Sequence, residues 1–210
     1  MKINCKKLLC AVMALLMVAS LAACGNESAK ETEAPALEAY KSAVKESATK
    51  TCGEEVVTIQ YVYNAEGQCI KEICTDTAGN EVKNYYTFGD DGNVNSEIHN
   101  NPDGSKDKFR HTYIDGLMTK TVHTEPSGSK NTYTYTHNED GTVAGYSLVM
   151  SSGDTIEVTY TYNALGAVEK MESSASVTVY TYNEFGDVVT ETVTENGTET
   201  VTTYEYTYQQ

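Results

Sequence analysis

The sequence predicts an all-β protein, an antiparallel β-meander of about 13 short strands, curled or partly closed, preceded by one short amphipathic helix. Three observations carry that expectation. One frame recurs: two aromatic positions flanking one residue, three further positions and a glycine. It reads YVYNAEG from Tyr61, YTFGDDG from Tyr86, YTHNEDG from Tyr135, YTYNALG from Tyr160 and YTYNEFG from Tyr180. HTYIDG from His111 is a shortened copy and YTYQQ from Tyr206 closes the chain. The frame glycines Gly67, Gly92, Gly116, Gly141, Gly166 and Gly186 are spaced 25, 24, 25, 25 and 20 residues apart. A second set of turn signals (Gly79, Gly104, Gly128, Gly153 and Gly197) falls 11 or 12 residues after its frame glycine, and only the short fifth unit has Ser-Ser-Ala-Ser instead. Between turns, apolar or aromatic residues alternate with threonine and charged residues, the period of a strand with two unlike faces.

Ahead of the repeats, residues 1–23 read as a signal peptide. Lys2, Lys6 and Lys7 precede an apolar run from Leu8 to Leu21, too short and wrongly flanked for a spanning helix. The run ends Leu21-Ala22-Ala23-Cys24, followed by Gly25. This resembles the lipobox of bacterial lipoproteins, which implies cleavage before Cys24, lipidation of Cys24 and an extracytoplasmic protein anchored to the bacterial cell membrane through that lipid. Residues 24–34 then form a polar tether. Pro35 stands where a helix can begin, and Leu37, Tyr40, Val44 and Ala48 recur at helical spacing. One amphipathic helix is expected over 35–50, packed on the tyrosine face or over the first strand edge.

Loss of the signal removes three lysines and no acids, leaving 12 basic against 30 acidic residues, a formal charge of −18. Such a surface repels nucleic acid and anionic headgroups, so neither is an expected partner.

The β-repeat domain is expected over 56–210. In the frame, Asn-x-x-Gly suits a type I turn followed by a left-handed glycine, and Asn163 and Asn183 can cap such turns with their own side chains. Asp103-Gly104 and Asn196-Gly197 read as further hairpin turns. In the strand from Thr155, Ile156, Val158, Tyr160 and Tyr162 share one face, and Thr155, Glu157, Thr159 and Thr161 the other. Fourteen of the 16 tyrosines lie in the first strands of units, so every second strand brings its aromatics to one face at one height. The second strands are less regular. Val94, Ser96 and Ile98 alternate with Asn93, Asn95 and Glu97, which suggests more exposure there.

This frame, repeated over Val56 to Gln210, resembles the YD repeats of the Rhs family. Asn stands here where that family has Asp, and no unit carries the arginine that commonly follows the glycine. The resemblance implies a strand-and-turn architecture in a cell-surface setting. Six units are too few to form the shell that encloses a toxic domain in large members.

The tyrosines Tyr61, Tyr63, Tyr86, Tyr133, Tyr135, Tyr160, Tyr162, Tyr180, Tyr182, Tyr206 and Tyr208 are the candidate functional row. They read as the core of the meander, or as a binding row for an extracellular glycan or protein. Other chemistry is weaker. Cys5 and Cys10 leave with the signal, and Cys69 and Cys74, five apart on one strand, are expected on opposite faces, out of reach of each other; one bridge from Cys52 stays open. His99, His111, His123 and His137 recur near the half-period. Registering the hairpins on Asp103-Gly104 and Asp115-Gly116 sets Lys108 between His99 and His123, on a solvated face, too far apart to share a metal. Asp90-Asp91-Gly92 and Glu139-Asp140-Gly141 read as turns rather than calcium loops. No cofactor or metal is expected, and no nucleophile, phosphate-loop or zinc-protease motif is present. The expected function is a non-catalytic surface scaffold or binding module; the alternative is an accessory or cryptic hydrolase at the cell envelope.

Overall fold

The computed structural model describes residues 43–209. Fourteen strands follow in chain order: β1 (Lys45–Cys52), β2 (Glu55–Tyr63), β3 (Cys69–Asp76), β4 (Glu81–Phe88), β5 (Val94–Asn100), β6 (Lys106–Ile114), β7 (Leu117–Thr124), β8 (Lys130–His137), β9 (Val143–Val149), β10 (Thr155–Tyr162), β11 (Val168–Ser173), β12 (Ser176–Tyr182), β13 (Val188–Glu195) and β14 (Thr198–Tyr208). Each pairs antiparallel with its neighbours in sequence, and β14 pairs with β1, so the meander is a closed barrel rather than a curled or partly closed sheet. Closure with every pair antiparallel needs an even count. With 14 strands the first and last run antiparallel and can pair, which 13 would not allow.

The extra strand comes from the segment expected to be helix. Residues 35–42 lie outside the described residues, and Lys45–Cys52 is β1, paired to β2 on one side and β14 on the other. Val44 and Ala48 suggest a helical stripe, but the pattern the fold adopts has period two. Ala48, Lys50 and Cys52 face inward and are buried, while Ser47, Thr49 and Thr51 face out, with threonine favouring strand. Gly53, at φ 60, turns the chain into β2. It also continues the second glycine series backwards, 26 residues before Gly79. The β domain therefore begins near residue 45 rather than 56.

The six frame glycines lie at φ between 79° and 85°, where a side chain is disfavoured. In five of the six frame turns the glycine N–H closes on the residue three before it, as from Gly166 to the Asn163 carbonyl. Asn163 Oδ1 accepts from the N–H groups of Leu165 and Ala167, and Asn183 Oδ1 from those of Phe185 and Asp187. The acidic turns work the same way: Asp91 Oδ1 accepts from Asn93 N–H and Asp140 Oδ1 from Thr142 N–H. In the glycine-free turn, Ser173 Oγ accepts from Ala175 and Ser176 N–H.

Each frame turn leaves one extra residue in the second strand. Tyr63 pairs with Cys69 but Val62 with Lys71, and Phe88 pairs with Val94 but Thr87 with Ser96. Such a bulge inverts the alternation that follows. Two expectations change accordingly. Cys69 and Cys74 both face inward, though their separation along β3 still keeps them apart, and no disulfide forms among the described cysteines. In β5, Val94, Glu97 and His99 face inward and Ser96 and Ile98 outward. The second strands therefore hold some of the most buried side chains in the barrel, Glu72, Glu97, His99 and Glu191 among them.

The outer wall carries Thr134, Thr159, Thr161, Thr203, Glu157 and Glu205, all exposed, with separate apolar residues such as Tyr85 and Val201. Following paired residues once around returns to β1 displaced by about 16 positions, which for 14 strands implies a tilt of about 40° and a backbone radius of about 13 Å. Eight strands suffice for inward side chains to fill a barrel. Fourteen enclose a lumen.

Gly145 in β9 and Gly166 separate two kinds of glycine constraint. A Cβ on Gly145 would sit 2.2 Å from the Val158 carbonyl oxygen, whereas a Cβ on Gly166 meets nothing within 4 Å but stands at φ +80. Gly166→Ala should therefore cost about 1–2 kcal/mol, the price of the left-handed backbone alone. Gly145→Ala should cost more, because no rotamer relieves a clash with backbone. Urea melts of the two variants check the order.

Candidate functional site: the lumen

The frame places its two aromatic positions in two inward tiers. Tyr61, Tyr86, His111, Tyr135, Tyr160, Tyr180 and Tyr206 occupy the first tier, and Tyr63, Phe88, Tyr113, His137, Tyr162, Tyr182 and Tyr208 the second, nearer the frame turns. Tyr86, Tyr135 and Tyr180 are buried; Tyr61, Tyr63, Tyr133, Tyr160, Tyr162, Tyr182, Tyr206 and Tyr208 are half-buried. All of the candidate tyrosines thus lie on the inner wall, while Tyr85 faces out. Cys24 lies outside the described residues.

The second tier explains why tyrosine rather than phenylalanine recurs. Tyr113, Tyr162 and Tyr182 donate their hydroxyls to the carbonyls of Val94, Val143 and Val168, at 3.1, 2.7 and 2.6 Å. Each acceptor lies two residues after the frame glycine of the preceding unit, where the bulge interrupts the ladder. Tyr206 does the same for Val188 at 2.9 Å. At these four bulges a tyrosine of the following frame therefore satisfies the bulge of the unit before it.

Facing the first tier is the residue five after each frame glycine: Glu72 opposite Tyr61, Glu97 opposite Tyr86, Thr121 opposite His111, Tyr146 opposite Tyr135, Met171 opposite Tyr160 and Glu191 opposite Tyr180. Three of the six are glutamates on the inner wall. Glu72 Oε2 accepts from the Tyr86 hydroxyl at 2.8 Å and from Asn84 Nδ2 at 3.3 Å. Glu97 bridges two histidines, Oε2 to His99 Nε2 at 2.8 Å and Oε1 to His111 Nε2 at 2.9 Å. His111 Nδ1 lies 2.9 Å from Thr121 Oγ1, which also accepts from the Tyr135 hydroxyl. Glu191 Oε2 accepts from the Tyr204 hydroxyl, with the buried Lys50 ammonium 5.3 Å from the Tyr204 ring centre. At the frame end, Lys45 pairs with Asp187 at 2.8 Å, and Tyr208 donates to the same carboxylate.

The histidines sit differently from their sequence-based register. His99 pairs with Asp107, and His123 with Phe109, so Phe109 rather than Lys108 lies between them. Phe109 stacks on His123 at 4.4 Å and tilts against His99 at 4.9 Å. Asn101–Ser105 is a five-residue connection rather than a two-residue turn at Asp103-Gly104, and a bulge follows Asp115-Gly116. One extra residue in each hairpin moves these histidines from the solvated face to the lumen. Among the described residues no three His, Cys, Asp or Glu side chains are grouped to hold a metal.

Alternation alone missed this polar network, because Glu97 and Glu191 lie beyond a bulge that reverses their face. The signal was present in the repeat: the position five after the frame glycine always opposes the frame aromatic.

No family model matches the chain, and no curated protein matches it in sequence. Among solved structures the chain is similar to a porin-like protein from Bacteroides vulgatus ATCC 8482, with a TM-score of 0.50 and 10% identity over 80% of this chain and 99% of that one. It is also similar to a porin-like protein from Bacteroides uniformis ATCC 8492, at a TM-score of 0.44 and 14% identity over 81% and 100% of the two chains. A Photorhabdus luminescens Tc holotoxin pore is similar at a TM-score of 0.30 and 13% identity over 73% of this chain and 10% of that chain. At such identities the first likeness speaks for the fold alone, and the other two add no argument. Fold and site together define an all-β closed barrel with an aromatic and polar interior.

Two measurements follow from these contacts. Tyr162→Phe removes the bond to Val143 but keeps the ring, and should cost about 1 kcal/mol. Tyr162→Ala should cost at least about 2 kcal/mol, since ring packing goes too. Equal melts for Tyr162→Phe and wild type would refute the role given to the hydroxyl.

The buried glutamates give opposite pH dependences. Burial pushes Glu72 above the usual carboxylate range, outweighing the bonds from Tyr86 and Asn84. Its contribution to stability is therefore largest below the ordinary carboxylate pKa and is lost as pH rises through the raised value. Burial also acts to raise Glu97, but hydrogen bonds from His111 and His99 outweigh it and leave its carboxyl below the usual range. Glu97 contributes stability above the ordinary value that is lost as pH falls through the depressed one. Glu72→Gln should thus melt higher than wild type at about pH 7.5, the difference shrinking towards about pH 4, whereas Glu97→Gln should melt lower at about pH 7.5 and converge only in stronger acid. Thermal melts across this range check both signs.

Proposed function

We propose that the protein is a lipid-anchored, non-catalytic barrel on the outer side of a bacterial cell membrane, acting as a rigid β scaffold or binding module for an extracellular glycan or protein. The observation that carries this reading is the polarity of the wall. Barrels that span membranes present an apolar band to lipid and a polar lumen. Here threonine, lysine and glutamate line the outside and tyrosines the inside, which suits a barrel standing in water. The signal peptide, Leu21-Ala22-Ala23-Cys24 and the likeness to YD repeats support attachment through lipid on Cys24 and a cell-surface setting.

The described chain enters at the frame-turn end, where the Val44 carbonyl accepts from Gln209 N–H. With the tyrosines inside, a glycan or protein meeting the outer wall would encounter threonine and charged ladders.

The hydrolase alternative has one observation in its favour. Glu97, His111 and Thr121 form a carboxylate–imidazole–hydroxyl chain. Thr121, however, is 3% exposed, and its hydroxyl is occupied by Tyr135 and by Met118 Sδ at 3.4 Å. No reacting carbonyl reaches a hydroxyl so enclosed, which favours a structural role for the chain.

Cys24→Ala tests the anchor. The variant should leave the membrane fraction for the medium while keeping the wild-type melt. A variant that stays with membranes after a high-salt and carbonate wash, with wild type equally unprocessed, would overturn the reading.

A further inference from the structure

The two sides of the lumen differ. From β3 to β7 the inward polar groups are tied to one another, as Glu72 is to Tyr86 and Glu97 to His99 and His111. From β8 to β12 no carboxylate, lysine or arginine of the strands faces inward; beside the frame tyrosines already described, that wall is built from Tyr133, Tyr146, Leu148, Ile156 and Met171. Tyr133, Tyr146 and Tyr160 form a continuous series across β8, β9 and β10, with ring centres 5.4 and 6.1 Å apart.

These three tyrosines are on the inner wall at mid-height, yet each is only half-buried. A collapsed barrel would cover them, so they border open space. With a backbone radius of about 13 Å, inward tyrosines leave a gap on the order of 10 Å across the lumen. Among the described residues no hydrogen bond engages their hydroxyls, and none of these hydroxyl oxygens is a buried orphan. Burial pushes Tyr146 up to about 12 and raises Tyr133 and Tyr160 as well, so all three stay protonated and able to donate.

A ligand for this wall must be flat enough to lie on ring faces, uncharged, and supplied with acceptor oxygens. Saccharides fit less well, because their many hydroxyl donors would find no carboxylate on these strands, and Glu125 in the β7–β8 connection is already engaged by Asn131. We propose that the β8–β12 wall binds a neutral, planar aromatic molecule bearing carbonyl acceptors, stacked on the Tyr160 ring, met edge-on by Tyr146, whose ring is inclined 52° to it, and hydrogen-bonded by the Tyr133 and Tyr146 hydroxyls. The proposal deepens the reading of the protein as a binding module and rests on it, by placing the site inside the barrel.

Full-length protein in detergent, titrated calorimetrically with coumarin and with flavone, tests it, with maltohexaose as a neutral saccharide. Either aromatic probe should bind saturably with a Kd on the order of 10–100 µM. Tyr146→Phe keeps the ring and the fold and should weaken binding about five- to tenfold, one hydrogen bond's worth. Tyr160→Leu should abolish binding. No saturable binding of either aromatic probe overturns the proposal, and so does binding that both variants leave unchanged. Tighter binding of maltohexaose overturns the ligand class but keeps the binding-module reading, whose anchor is judged separately by Cys24→Ala.

Discussion

Pairing of β1 with β14 is the contact on which everything else depends. Lys45 to Cys52 matches Tyr208 to Thr202 in seven residue pairs, with one irregularity near Lys45. Without it, β1 and β14 would be raw edges whose unpaired N–H and C=O groups invite other strands. With it, no edge remains, and the inner wall is separated from bulk water along its whole circumference. Closure also sets what each face must be. A curled sheet could leave its tyrosines on an open concave surface; a barrel turns them into lumen.

Within that constraint, the bulge after each frame turn decides which residues face in. It reverses the alternation once per hairpin, which draws Glu72, Glu97 and Glu191 inside and puts Ser96 and Ile98 outside. It also interrupts the ladder beside a valine carbonyl, and the tyrosine of the following unit takes up that carbonyl. The repeat is thus coupled from unit to unit by side chains as well as by backbone pairing. Four of the six bulges are closed in this way, by Tyr113, Tyr162, Tyr182 and Tyr206, while Phe88 and His137 stand at the corresponding place in their units.

Burying carboxylates costs desolvation energy unless partners take up their oxygens. Glu97 has them in two imidazoles and ends with a depressed pKa, while Glu72 and Glu191 remain raised by burial. Among the described residues Asn84 Oδ1 and Glu191 Oε1 are buried without a hydrogen-bond partner. The polar side of the lumen is therefore a set of mutually engaged groups with residual strain. The tyrosine side is uncharged and has hydroxyls to spare, an asymmetry that gives the interior a direction.

The sequence by itself determined the all-β class, the position of the frame turns and the aromatic face of every first strand, because glycine at φ > 0 and a period of two are local properties of the chain. Asn163 and Asn183 could be read as turn caps for the same reason. Local pattern did not decide β1: Val44 and Ala48 fit a helix as well as Ala48, Lys50 and Cys52 fit a strand, and only two waiting edges, β2 and β14, settled the competition. Nor did it show that the sheet closes, since closure depends on strand number and accumulated stagger around the whole barrel. The polar network fell to tertiary structure for a third reason. A single extra residue per turn reverses a strand's faces, so Glu97, His99 and His123 moved from solvent to lumen without any change in their alternation.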